Sequence, residues 1–210
     1  MYLAVGTSGV TTLAIELSAS RLLGPVFGTS NLIWAIIIGL MLIYLSAGYF
    51  LGGRWADRDP SHTTFYQIAA WGGLTAGLAP TLARLLLPLI SRAGLPVGTS
   101  AILSIFALFA VPVVLLGCIS PFAIRLSLDN VTQAGQVSGR IYAVSTLGSI
   151  IGSLAPVLYL LPEVGTSTTF LVFAEMLMIV SLLGMSLHER RRSLLLSWIP
   201  FVPLILWILS

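Results

Sequence analysis

The chain has 210 residues, 57% of them hydrophobic and only 8% charged, with a mean hydropathy of +1.03. Soluble domains carry about 25% charged residues, and a soluble fold of this size has too little interior to hide so much apolar surface. The formal charge of +3 does not mark a nucleic-acid binder: lysine is absent, and the arginines are scattered rather than set in a stripe between aromatics.

Apolar runs of roughly 20 residues bounded by charges or Gly/Pro clusters read as membrane spans. They predict an all-α polytopic bundle with about seven spans, near residues 2–23, 32–51, 65–87, 101–126, 139–161, 168–187 and 194–209. The last is short and broken by Pro200 and Pro203. Only loops remain, so residues 1–210 read as one transmembrane domain without a soluble catalytic domain.

In the first span, Ser8, Thr12, Glu16 and Ser20 recur every four residues and share one helix face. A carboxylate at mid-bilayer costs about 2.5–3.5 kcal/mol on insertion scales, so Glu16 needs a partner or a water-filled cavity. Arg21 is not that partner, because five residues turn the helix about 140°. Gly6-Thr7-Ser8-Gly9 matches the G-x-S-G pattern of intramembrane serine proteases. A nucleophilic serine needs a nearby base, and His62 and His188 fall in predicted loops away from Ser8.

Gly48/Gly52, Gly73/Gly77 and Gly148/Gly152 form three G-x-x-x-G pairs in the second, third and fifth spans. Such spacing lets helix backbones approach closely in lipid. Ser145, Ser149 and Ser153 lie beside the third pair, a face expected to pack on another helix. Pro80, Pro112, Pro121 and Pro156 fall within or near span ends and free backbone carbonyls there. Gly-Thr-Ser at Gly28–Ser30, Gly98–Ser100 and Gly165–Ser167 precedes apolar spans, where a hydroxyl can cap the first amides. In the sixth span Glu175 is the second acidic residue predicted inside the membrane. Cys118 is alone, which excludes an intramolecular disulfide, and no residue cluster has metal-ligand spacing, so no metal or cofactor is expected.

Arginine sets the orientation. With the N-terminus inside, Arg54, Arg58, Arg125, Arg140 and Arg190–Arg192 lie on the cytoplasmic side, against Arg21, Arg84 and Arg92 on the other. The Arg190–Arg192 run then anchors a helix end beside anionic lipid.

The loop Gly52-Gly53-Arg54-Trp55-Ala56-Asp57-Arg58-Asp59-Pro60 resembles the cytoplasmic signature of major facilitator transporters, departing from it after Arg58. The resemblance implies that Arg54, Asp57 and Arg58 gate the inner face. A narrower resemblance, to the membrane half of fused spermidine-synthase proteins, runs over roughly residues 8–167. It rests on Ser8-Gly9 through Glu16, Ser20–Leu23, Phe27–Ser30, Gly52–Arg58, Gly117–Pro121 with Arg125, Gly139–Ser149, and Leu161-Pro162 with Gly165-Thr166.

The two resemblances together imply half of a major facilitator fold that handles polyamines or similar organic cations. Glu16, Ser20, Thr12, Glu175 and Tyr142 are the candidate substrate or proton residues, and Gly48, Gly52, Gly148 and Gly152 the packing residues. An aminopropyltransferase activity would need the soluble domain that is missing here. The chain is then a stand-alone relative of the membrane half, or a fragment of a fusion, in a bacterial or archaeal plasma membrane. Expected partners are the bilayer, a second copy in a homodimer, and a soluble aminopropyltransferase. The competing expectation is a non-catalytic anchor or scaffold for that synthase or another subunit.

Overall fold

In lipid only a helix satisfies every backbone amide and carbonyl within one open segment. The computed structural model describes residues 1–128, 130–188 and 201–209 and has no strand among them. Its helices are α1 (Tyr2–Phe27), α2 (Asn31–Arg58), α3 (His62–Ser91), α4 (Val97–Ser127), α5 (Ala134–Ala155), α6 (Leu161–His188) and α7 (Phe201–Leu209). A 3-10 turn, Val131–Gln133, leads into α5, and a π turn, Pro156–Leu160, joins α5 to α6.

Among the described residues, four helices are long and apolar enough to cross a membrane: α2, α3, α4 and the 55-residue run Ala134–His188. The protein is therefore an integral membrane protein of helical class. α1 is not among the four; Glu16 and Arg21 interrupt its apolar surface. Of the predicted seventh span, residues 194–200 lie outside the described residues, as does the Arg190–Arg192 run.

Straight, the 55-residue run would extend about 83 Å, far beyond a hydrocarbon core about 30 Å thick. It folds back at Gly165, whose φ of 77° and ψ of 175° leave helical space. The contacts of α1 show the reversal. α5 runs with α1, placing Val144 at Gly6 and Gly152 at Val10. α6 runs against it, with Ser167 beside Leu22 and Val26 and the Phe173 carbonyl at Thr11. Gly165 lies in the interval that the sequence pattern leaves between the fifth and sixth spans, and helix continues up to it through Pro156 and Pro162. The Leu161 amide donates to the Pro156 carbonyl five residues back, so the π turn carries the chain past the proline.

The capping expectation holds at one of three sites. Ser30 accepts the Ile33 amide at 3.4 Å, but Gly98–Ser100 lies inside the first turn of α4, behind an N-cap at Pro96. At Gly165–Ser167 no side-chain cap is formed among the described residues; Thr169 instead donates back to the Gly165 carbonyl. The histidines also differ from expectation. His62 opens α3, His188 closes α6, and their rings stack at 4.6 Å.

α2 lies along α4, α1 along α5, and α3 between α4 and α6, while α6 also touches α1. Each of the first two pairings, and the α3–α6 pairing, meets at a glycine pair. A Cβ on Gly52 would lie 2.5 Å from Cys118 Cα, and one on Gly117 would lie 3.0 Å from Gly48 Cα. A Cβ on Gly148 would strike the Gly6 carbonyl, and one on Gly152 the Val10 carbonyl. Gly73 faces the Ala174 carbonyl in the same way, at 3.0 Å. These crossings are backbone against backbone, with dispersion rather than a hydrophobic drive holding them.

α2 buries only the stripe Ile33, Ile37, Met41, Tyr44, Gly48, Gly52 and Ala56, and α5 only Ile141, Gly148 and Gly152. Most of the remaining surface of both helices faces outward, apart from the residues beside these stripes such as Leu45, Val144, Ser145 and Ser149, which are half-buried.

Gly148→Ala is expected to destabilise the bundle by about 1–3 kcal/mol, since the added methyl meets backbone that cannot rotate away. Gly39→Ala, with nothing within 4 Å of its Cβ position, should be neutral or stabilising. Thermal unfolding of the two variants in one detergent checks the contrast.

Candidate functional site

α1 is held on two sides. Toward α5, Gly6 and Gly9 let the helices touch, and Ser149 Oγ donates to the Gly9 carbonyl at 3.4 Å. Toward α6, Thr11 Oγ1 donates to its own-helix Thr7 carbonyl at 2.8 Å and to the Phe173 carbonyl at 3.2 Å. Interhelical bonds of this type contribute about 0.6 kcal/mol on average in membranes. Ser8 and Thr12 lie between these two contacts.

They open into a cavity of about 70 Å³ among α1, α2, α4 and α5. Its polar lining is Ser8, Thr12, Tyr49, Ser120, Ser145 and Ser149, and Leu13, Leu45 and Leu116 close it. Ser8 is only 5% exposed, and its hydroxyl joins no hydrogen bond found among the described residues. Thr12 Oγ1 donates to the Ser8 carbonyl at 2.8 Å, which leaves its lone pairs for the cavity. A water needs about 10–15 Å³ of such volume, so the space suits a few waters or a small ion. Pockets for drug-sized ligands run to about 300–1,000 Å³.

Glu16 is half-buried one helical turn beyond Thr12. Among the described residues it makes no ion pair or hydrogen bond, Arg21 included. Ser20, the next residue of the stripe, donates to the Leu17 carbonyl at 2.8 Å. Thus the structure sets Thr12 on the cavity and Glu16 and Ser20 in line with it.

Glu175 is elsewhere. It sits on α6, which meets α1 at Thr11, five residues and about 140° around the helix from Glu16. Glu175 Oε1 is buried and finds no hydrogen-bond partner among the described residues. Tyr142 is 54% exposed on α5 and does not line the cavity.

The three loop candidates lie not in a loop but in the last turns of α2, which runs on to Arg58, and two of them take separate partners. Asp57 Oδ1 accepts from Arg125 Nε at 3.2 Å, tying the end of α2 to the end of α4. Arg54 lies over the Phe50 ring at 4.0 Å, and Arg58 is exposed with no ion pair among the described residues. Asp59, where the loop departs from the facilitator pattern, accepts from Thr64 Oγ1 at 2.9 Å and fixes the turn into α3. Met1 reaches the same end, its sulfur 3.7 Å from Ser127 Oγ, and burial holds its ammonium pKa below the ordinary value.

Sequence reasoning missed Ser120 and Tyr49, which complete the cavity from α4 and α2. The only signal for Ser120 is a hydroxyl inside an apolar run before Pro121. No group of three or more His, Cys, Asp or Glu capable of holding a metal occurs among the described residues. Comparisons with protein-family models, curated proteins and solved structures gave no match to this chain.

The Asp57–Arg125 pair is largely solvent-exposed, at 72% and 42% of the two side chains, so it should contribute little. A double-mutant cycle with Asp57→Asn and Arg125→Gln is expected to give a coupling of about 0.2–1 kcal/mol that shrinks in high salt. Chemical denaturation of the four proteins measures it.

Proposed function

We propose that the chain is a transporter-like membrane domain in which Glu16 is a cation or proton site beside a hydroxyl-lined cavity. One observation carries this reading: a half-buried carboxylate, without a protein partner among the described residues, continues the stripe of hydroxyls that lines the cavity. Ionisable groups inside membrane bundles mark ion paths and proton relays because their insertion cost must be offset. In this reading α1 and the segment after residue 193 also cross, giving seven spans in a half-facilitator arrangement like the membrane half of spermidine-synthase fusions.

The same reading puts the N-terminus in the cytoplasm. Arg54, Arg58, Arg125 and Arg140 lie at one end of the bundle, and Arg21, Arg84 and Arg92 at the other. Excess arginine marks the cytoplasmic face. The outward faces of α2 and α5 favour a homodimer.

Cavity size bears on the substrate. A space of about 70 Å³ suits water, a proton or a small inorganic cation. An extended polyamine, the substrate class implied by the family resemblance, requires the helices around it to part. The tight glycine crossings favour the second reading, a non-catalytic anchor or scaffold for a soluble partner such as an aminopropyltransferase.

Proteoliposome flux separates the two. Radiolabelled putrescine and spermidine, with a pH-sensitive dye inside the vesicles, are followed for wild type and Glu16→Gln. The transport reading expects flux in wild type that falls to the empty-vesicle level in Glu16→Gln. Equal flux in both removes Glu16 from the mechanism. No cation or proton movement with correctly folded wild type supports the anchor.

A further inference from the structure

At the end of the bundle that carries the α2–α3 turn, two grooves flank Trp55. One, of about 530 Å³, runs between α2 and α4 from Arg58 past Arg54 to Leu51 and Val114. The other, of about 320 Å³, runs along α3 from Thr64 past Trp71 to Thr75 and Val111. Trp55 and Leu115 line both, so the grooves share one wall.

The first groove exists because the Gly52–Cys118 backbone contact draws α2 and α4 together and leaves Cys118 in its floor. Thr64 and Thr75 are eleven residues apart on α3, a rise of about 16 Å. That is close to one leaflet of a hydrocarbon core about 30 Å thick. The larger groove is shorter, Leu51 and Arg58 lying seven residues or about 10 Å apart on α2. Two apolar channels parted by one tryptophan at their polar end match the headgroup-proximal parts of the two chains of a diacyl lipid.

Charge at the rim selects the headgroup. Asp57 is engaged by Arg125, and Asp59 accepts from Thr64. Arg54 and Arg58, both lining the larger groove, have no carboxylate partner among the described residues. Arg54 is braced over Phe50, which lowers the entropy lost when its guanidinium binds a phosphate. Guanidinium groups beside the membrane interface attract anionic lipid.

We infer that this end of the bundle holds a specific seat for one anionic diacyl phospholipid, its headgroup on Arg54 and Arg58 and its chains astride Trp55. The seat depends on the protein lying in a membrane, not on whether it transports anything.

The test is native mass spectrometry of the full chain, released from micelles containing equimolar phosphatidylglycerol and phosphatidylcholine of matched chains. Wild type is expected to retain one phosphatidylglycerol in preference to phosphatidylcholine. Each Arg→Gln change should weaken that preference roughly fivefold, and Arg54→Gln with Arg58→Gln about 25-fold. The Arg54→Lys, Arg58→Lys protein keeps the charge and should restore most of it, which separates headgroup binding from misfolding. Arg92→Gln, at the opposite end, should change nothing.

Equal retention of the two lipids by wild type, or undiminished preference in the double Gln variant, overturns the assignment. So does displacement of the lipid by soluble glycerol phosphate at matched concentration, which would make the site one for free phosphate with no part for the grooves.

Discussion

The bundle depends on backbone carbonyls that lie against glycine Cα atoms across helix crossings. In lipid the side chains of neighbouring helices gain nothing by leaving solvent, since the solvent is as apolar as they are. What remains is close approach, and Gly48, Gly52 and Gly117 on one crossing and Gly9, Gly148 and Gly152 on another permit it. A single methyl at these positions would meet main-chain atoms, which have no rotamer to escape into. The third pair, Gly73 with Gly77, sets α3 on α6 and so completes the chain of contacts from α2 through α4, α3 and α6 to α1.

That chain of contacts determines where the polar residues go. α1 is clamped by α5 at Gly6 and Gly9 and by α6 at Thr11, which leaves the Ser8–Thr12–Glu16 stripe turned toward α2 and α4. The hydroxyls of Ser120, Ser145 and Ser149 come to the same space only because those helices are drawn in by their own glycines. The same closeness of α2 and α4 cuts the groove beneath Arg54 and Arg58. Site and groove are thus two products of one packing mode, on different faces of the same helices.

Much of this was legible in the sequence, and for identifiable reasons. A glycine pair four apart in an apolar run can be read locally, as can a carboxylate among hydroxyls of helical period. The partners of those features could not be read, because nothing near Gly148 in sequence points to Gly6, and nothing near Asp57 points to Arg125. The bend at Gly165 falls in the interval the apolar pattern leaves between spans, whereas the passage of helix through Pro156 by a π turn has no local signal. Tyr142 lies in a conspicuous block yet faces outward, since α5 buries only the narrow edge that carries its glycines. The histidines, read as loop residues, became a stacked pair once α3 and α6 brought their ends together.

Whether Glu16 faces water decides between a path and a dry structural charge. Glu16→Cys, with Ile15→Cys as a buried control and Ile38→Cys as an outward-facing one, can be treated in membranes with a cationic, membrane-impermeant methanethiosulfonate. The native thiol of Cys118 is 2% exposed and adds little background. The account predicts that Glu16→Cys reacts while Ile15→Cys and Ile38→Cys stay unmodified. A Glu16→Cys protein as inert as the Ile38→Cys protein would contradict it.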